Sequence, residues 1–165
     1  MSNAKEKIPC GFSTLTPHLV IKGAAKAIDF YKTAFGAEEI NRMPMPDGRL
    51  MHACVKIGNS MLMLCDEFPE HNCGNSASPE TIGKTHATIH MYVEDVDQAY
   101  KRAVDAGATA SMPPQDMFWG DRYGQVVDPF GQPWSIATHK EDLTHDEMMK
   151  KMQAGCAPAQ AAAAK

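Results

Sequence analysis

A strand followed by an amphipathic helix is predicted by Thr14-Leu-Thr-Pro-His-Leu-Val-Ile-Lys-Gly-Ala-Ala-Lys-Ala-Ile-Asp-Phe-Tyr-Lys-Thr-Ala-Phe-Gly36. Apolar residues in its second half recur at the spacing of a helix that packs on a sheet, and Gly36 ends the pattern. Three further strands are predicted up to Asp66. The same order returns about seventy residues later, between Thr85 and His139, which makes the chain an internal repeat.

The second copy consists of a strand over 86–93, a helix from the N-cap Asp95 to Gly107, a short strand, and a hairpin turned by Asp128-Pro-Phe-Gly131. Two βαβββ modules side by side predict an α+β fold in which a curved mixed sheet surrounds a cleft. A cleft between two copies is a natural ligand site.

The predicted organisation is a single domain with short additions. Its segments are an N-terminal tail (1–12), the first module (13–66), a linker rich in Pro, Gly, Ser and Asn (67–84), the second module (85–139), and a C-terminal segment (140–165). In the last segment, Thr144-His-Asp-Glu147 has the pattern of a capping box that opens a short helix. The Ala-rich end is expected to be disordered.

Composition excludes several classes of protein. With 165 residues, of which 44% are hydrophobic, the chain can bury a core, and no apolar run is long enough to span a bilayer. The N-terminus lacks the apolar stretch of a secretory signal, so a cytoplasmic location is expected. The net charge of −4 with dispersed basic residues disfavours nucleic-acid binding. The five cysteines have no CxxC spacing and are predicted to be reduced packing residues.

Histidines recur on one face of the predicted strands. Side chains alternate along a strand, and the apolar parity of each first strand should pack under its helix. The other parity carries His18 in the first module, its equivalent His90 in the second, and His52 on the third strand. Clustered imidazoles can bind a transition metal or act as acid and base. Alternatively, each histidine hydrogen-bonds within its own sheet or lies at the rim.

Further binding residues are predicted beside these histidines. The same parity places Thr16, Thr88 and Tyr92 at the cleft. In the loop Phe118-Trp-Gly-Asp-Arg-Tyr-Gly124, Arg122 could bind a ligand carboxylate or phosphate while Trp119 or Tyr123 stacks on an apolar part of the ligand. The alternative is that Arg122 forms a surface pair with Asp121. Trp134 shares its parity with Ile136 and is predicted to be core.

Several catalytic motifs are absent from the sequence. There is no GxGxxG or P-loop, no GxSxG and no HExxH. Nucleotide-dependent chemistry and serine hydrolysis therefore have no support.

The repeat, together with Ile28-Asp-Phe-Tyr-Lys-Thr-Ala-Phe-Gly36, Glu94-Asp-Val-Asp97 and Asp128-Pro-Phe-Gly-Gln-Pro-Trp134, resembles the vicinal oxygen chelate superfamily. This superfamily includes glyoxalase I, bleomycin-resistance proteins and extradiol dioxygenases. The resemblance is strongest to its PhnB-like branch and covers residues 13 to 139. It implies paired βαβββ modules and a homodimer.

The resemblance also implies where a divalent metal would bind. Enzymes of the superfamily hold the metal with His, Gln or Glu on the first and last strand of each module. In this sequence those positions fall on Thr16, Thr88, Ser135 and Met63, or on Leu62 or Leu64 instead of Met63 if the register differs by one. None of these residues is a good ligand for Zn²⁺, Ni²⁺ or Fe²⁺. The usual metal centre is therefore predicted to be absent, and no cofactor is expected.

Two functional hypotheses remain. In one, a metal-free protein binds, and could convert, a small organic molecule in the cleft. In the other, the protein is a lyase, isomerase or dioxygenase whose histidine site has moved and which acts on a small carbonyl or phenolic substrate. The candidate catalytic residues are His18, His52 and His90; the candidate ligand-binding residues are Thr16, Thr88, Tyr92, Trp119, Arg122 and Ser135.

Overall fold

The structure is a computed structural model that describes residues 6–71 and 77–155. The first module contains β1 (His18–Val20), α1 (Ala24–Phe35), β2 (Glu38–Pro44), β3 (Leu50–Ile57) and β4 (Ser60–Cys65). A short helix, α2 (Pro79–Ile82), precedes the second module. That module contains β5 (Ile89–Tyr92), α3 (Val96–Asp105), β6 (Thr109–Asp116), β7 (Asp121–Val127) and β8 (Pro133–His139), and α4 (His145–Gly155) follows it.

Each module forms a four-stranded mixed sheet, and the two sheets have the same strand order. The first sheet has the order β1-β4-β3-β2 and the second the order β5-β8-β7-β6. The β1–β4 and β5–β8 pairs are parallel, while the remaining pairs are antiparallel. The predicted α+β fold of two βαβββ modules is therefore confirmed.

The edge strands are shorter than the sequence suggests. A strand is predicted from Thr14, but β1 begins at His18, directly after Pro17. Proline has no N–H to donate to a sheet, and Pro17 contributes only its carbonyl oxygen, which accepts from the amide of Met63 at 3.0 Å. The predicted linker is also partly ordered, since it contains α2 and a short 3-10 helix at Pro69–His71.

Because of a β-bulge, one residue of β3 lies on the opposite face from the one that strand alternation predicts. Met51 is expected to face the helix but is 52% exposed. The register between β2 and β3 shifts between Met43 and Pro44, so that Leu50 takes the buried position instead.

The helix ends follow the sequence closely. Asp95 caps α3 by accepting from the amide of Gln98 at 3.0 Å, and Gly36 ends α1 with a φ of 67°. Thr144 and Glu147 form the predicted capping box of α4. The Ala-rich end predicted to be disordered (156–165) lies outside the described residues. In the described part of the chain no helix is long and apolar enough to cross a membrane.

The two modules share one hydrophobic core. Tyr31 and Phe35 of α1 pack on Trp134 of β8, with ring centres 5.3 and 4.5 Å away. The Tyr31 hydroxyl donates to the buried carboxylate of Asp128 at 2.9 Å. Helices and apolar sheet faces therefore meet between the modules, and the polar face of each sheet points away from this core.

Candidate functional site

An open groove of about 1230 Å³ runs between the modules, along the outer edge of β5. The first module lines it with residues of the 13–17 segment and with Ile57–Leu62, and the second with residues 89–95 and part of α3. Three predicted binding residues lie in its wall: Thr16, His90 and Tyr92. The predicted position of a ligand site between the modules therefore corresponds to a real groove.

His90 is held in a fixed orientation by its neighbours. Its Nδ1 lies 2.7 Å from Oγ of Ser135, the residue directly paired with it on β8. The ring contacts Tyr92 edge-on at 4.7 Å and lies parallel to Tyr123 at 6.1 Å. Ser135 is 3% exposed, which makes its hydroxyl a stable anchor. With Nδ1 engaged, Nε2 is the nitrogen that His90 can present to a ligand.

Behind the aromatic rings lies a buried carboxylate. Asp121, at the start of β7, is 5% exposed. One oxygen accepts from the Tyr92 hydroxyl and from Trp119 Nε1, both at 3.0 Å, and the other lies 2.8 Å from Nδ1 of His139. Asp121 thus fixes the positions of three side chains on this face of the second sheet.

These hydrogen bonds also change proton affinities. The hydrogen bond to Asp121 raises the pKa of Tyr92, so the phenol stays protonated and remains a donor. Hydrogen bonds to Asp142 and Asp121 raise the pKa of His139 above its ordinary value. A protonated His139 donates from both ring nitrogens and links β8 to the segment before α4.

Together these residues form one surface, which we name the aromatic wall: His90, Tyr92, Trp119 and Tyr123. Trp119 meets Tyr123 edge-on at 5.6 Å, and the Tyr123 hydroxyl accepts from Gln125 Nε2 at 2.6 Å. The wall offers aromatic area together with hydroxyl, imidazole and indole groups, a combination suited to a small organic ligand. His90 and Tyr92 are the members of the wall that line the groove.

Comparison with known proteins identifies the family. The family model of the Glyoxalase/Bleomycin resistance protein/Dioxygenase superfamily matches residues 14–136. The chain belongs to this superfamily.

Individual relatives agree with this membership. An uncharacterised protein of Mycobacterium tuberculosis H37Rv, Rv0887c, is 46% identical over 138 residues, which cover 84% of this chain and 81% of the relative. The crystal structure of TioX from Micromonospora sp. ML1 is similar with a TM-score of 0.63 and 26% identity, covering 77% of this chain and 98% of TioX. The PhnB protein of Bacillus cereus, at 17% identity and a TM-score of 0.58, shares the fold over 76% of this chain and 99% of its own.

The residues at the superfamily's metal positions do not fit a divalent ion. Thr16 uses its hydroxyl to donate to the carbonyl of Ser13 at 3.2 Å, and Thr88 is exposed just before β5. Ser135 is engaged by His90, and Met63 offers only a thioether. Hydroxyl and thioether groups are poor ligands for the ions that glyoxalase-type enzymes use. Among residues 6–71 and 77–155, no three His, Cys, Asp or Glu side chains come together in a metal-binding arrangement.

The prediction that three histidines share one surface is wrong for the single chain. His18 and His52 meet on the polar face of the first sheet, with ring centres 5.9 Å apart. His90 lies on the second sheet, where its ring contacts Tyr92 and Tyr123. Burial, and to a smaller extent repulsion from His52, lowers the pKa of His18.

Arg122 also differs from its prediction as an anion-binding residue in the cleft. It lies on the helix-facing side of β7, because β-strand side chains alternate and Asp121 and Tyr123 occupy the other side. There it donates to both carboxylate oxygens of Asp97 on α3, at 2.6 and 2.8 Å, and to Asp116 at 3.2 Å. Arg122 therefore links α3 to the sheet, and the alternative pairing with Asp121 is not formed either.

Three polar residues of the site escaped prediction: Asp121, Gln125 and His139. Asp121 and Gln125 lie on the same face of β7 as Tyr123 and alternate with Arg122, Gly124 and Val126. Applying strand parity to Asp121–Val127 would have placed them together, since Val126 is buried in the core and marks the other face. The hydrogen-bond partners of Asp121, which are Tyr92, Trp119 and His139, come from three separate segments. No local sequence pattern therefore predicts that they meet at Asp121.

Proposed function

We propose that this protein binds a small planar organic molecule in the groove, against the aromatic wall, and that it does so without a metal. The observation that carries this proposal is the His90–Ser135 pair, which fixes an imidazole among aromatic rings at the groove surface. Aromatic rings favour stacked or edge-on contacts with a flat ligand. Thr16, His90 and the Tyr92 hydroxyl provide polar groups that would orient it.

His90 is also the residue that supports conversion of the ligand. An imidazole at a ligand site can act as a general acid or base. In this proposal Ser135 holds Nδ1, and Nε2 exchanges a proton with a hydroxyl, amide or carbonyl-adjacent group of the ligand. Binding is favoured over metal-dependent lyase or dioxygenase chemistry, because His18 and His52 are not beside His90.

Replacing His90 by alanine is expected to weaken ligand binding at least about tenfold, or about 1.4 kcal/mol. The measurement is a fluorescence titration with a panel of planar aromatic carboxylates, phenols and amides, with bleomycin included. Ligand binding should change the emission of Trp119, which lies in the aromatic wall. Ser135→Ala should give a smaller loss, because it frees the ring without removing it.

His86→Ala is the matched control, since His86 is an exposed histidine that precedes β5. It should bind the panel as the unchanged protein does. If His90→Ala and the wild-type protein bound the ligand panel with equal affinity, the proposed site would be wrong.

We further propose that the protein works as a homodimer. In the described part of the chain, β1 and β5 each end their sheet and pair on one side only, so both can accept another strand. Leu15, just before β1, is a large apolar side chain that is 87% exposed in the single chain. Pairing between copies would cover it and close the groove.

Light scattering after gel filtration is expected to give twice the mass of the chain. Leu15→Asp should weaken the dimer at least about tenfold, because it places a charge in an apolar contact. Ile82→Asp, which changes an exposed apolar residue on α2, should leave it intact. A monomer at micromolar concentration would refute the dimer and leave the ligand site to be tested on its own.

A further inference from the structure

Soft metal ligands are concentrated on the polar face of the first sheet. The rings of His18 and His52 lie there, and each histidine is paired in register with a methionine: His18 with Met63 and His52 with Met43. Cys54 is paired with Met63 and lies on the same face. In the described registers no carboxylate is paired with His18, His52 or Cys54.

The strand order identifies the methionine that lies between the histidines. His18 is on β1 and His52 is on β3, and β4 runs between these two strands. Met63 on β4 is half-buried and directly opposite His18. Met43 lies on β2, on the far side of β3 from His18. Of these two methionines, Met63 is therefore the one on the strand between the rings, and Cys65 lies two residues further along the same face of β4.

The separation of the two rings suits a shared ion. Metal–nitrogen bonds of about 2 Å place the centres of two imidazoles that hold one ion about 6 Å apart. The observed separation is 5.9 Å, with the planes inclined at 77°. The two rings are therefore already at the spacing of a shared ion, and a flexible thioether beside them can complete the coordination.

We propose that His18, His52 and Met63 bind a soft monovalent metal ion, Cu(I), or Ag(I) as its redox-inert substitute. This site is separate from the groove and is held by one module alone. It shares Met63 with the superfamily's metal positions, but neither histidine occupies such a position.

The ligand set selects for the ion. Thioether sulfur favours Cu(I), while Mg²⁺ and Ca²⁺ require oxygen ligands. A structural Zn²⁺ site uses four strong ligands, and no group of three His, Cys, Asp or Glu is assembled in residues 6–71 and 77–155. Two imidazoles and one thioether instead match the low coordination number that Cu(I) accepts.

The test is an anaerobic Cu(I) titration in competition with a chromophoric chelator. It uses the full chain with Cys10, Cys65, Cys73 and Cys156 replaced by serine, so that these four thiols do not contribute to Cu(I) binding. One equivalent of Cu(I) should bind. His18→Ala, His52→Ala and Met63→Leu should each weaken Cu(I) binding more than about tenfold. A loss of about tenfold is typical when a metal site loses an outer-shell partner, and these residues are proposed as direct ligands.

Two matched variants separate this site from unspecific binding. Met43→Leu removes a thioether on the side of β3 away from His18, and His86→Ala removes an exposed histidine that precedes β5. Both variants should bind Cu(I) with the wild-type affinity. X-ray absorption should show nitrogen and sulfur neighbours, with the sulfur lost in Met63→Leu. Met63→Leu preserves side-chain volume, so an unchanged melting temperature will show that its effect is not unfolding.

Three results would overturn the proposal. They are no Cu(I) retained against the chelator, equal affinity in Met63→Leu and Met43→Leu, or equally tight binding of Zn²⁺ by the same residues. None of these results would affect the groove, because the ligand panel is measured without metal.

Discussion

Replacing Asp128 by alanine is expected to lower the free energy of unfolding by about 3–5 kcal/mol. Asp128 is 3% exposed and accepts hydrogen bonds from four groups. They are the Tyr31 hydroxyl, Trp134 Nε1 and the amides of Phe130 and Gln132, at 2.9 to 3.1 Å. Alanine leaves these donors without an acceptor, and the two side-chain donors lie in the core that joins the modules.

Urea denaturation followed by circular dichroism measures this loss. Asp128→Asn should lose less stability, because the carbonyl oxygen of asparagine still accepts a hydrogen bond. Its NH₂ group, however, then faces a group that also donates. Asp116→Ala is the control: Asp116 also accepts a side-chain hydrogen bond, from Arg122, but it is exposed and should cost less than about 1 kcal/mol. If Asp128→Ala also cost so little, Asp128 would not be the polar link between the modules.

Patterns confined to one strand or helix were predictable from the sequence. The repeat, the helix ends and the buried position of Trp134 all follow from local periodicity and capping residues, and the structure confirms them. Strand parity also placed His18 and His52 on the same face of one sheet, where their rings now meet. Such patterns succeed because alternation in a strand does not depend on distant parts of the chain.

The relative placement of the modules was not predictable in the same way. It depends on how Tyr31 and Phe35 pack against Trp134. No sequence pattern in the helix or in the strand indicates that these residues contact each other. His90 lies on a different sheet from His18 and His52. Likewise, Arg122 forms an ion pair with Asp97 because α3 packs over β7. The arginine predicted to bind a ligand anion instead holds this helix against the sheet.

Replacing Asp121 by alanine is expected to weaken binding of the aromatic panel by about 100-fold and to cost about 2–3 kcal/mol of stability. Both effects have one cause. The carboxylate holds Tyr92, Trp119 and His139 at once, and without it the half-buried Trp119 N–H and the Tyr92 hydroxyl lose the acceptor that orients them. The affinity loss should exceed that of His90→Ala, because several rings of the aromatic wall lose their positions rather than one.

Asp142→Ala is the control that separates this effect from a change in His139 alone. Asp142 is fully exposed and contacts only the other nitrogen of the same imidazole among the hydrogen bonds of the described residues. It should lower the pKa of His139 towards its ordinary value, because its hydrogen bond contributes most to raising that pKa, yet leave ligand affinity unchanged. Asp121→Asn should recover part of the affinity, since an amide oxygen can still accept from Tyr92 or Trp119. If Asp121→Ala and Asp142→Ala bound the panel equally well, the orientation of the aromatic wall would not matter for binding, and the ligand would have to lie elsewhere in the groove.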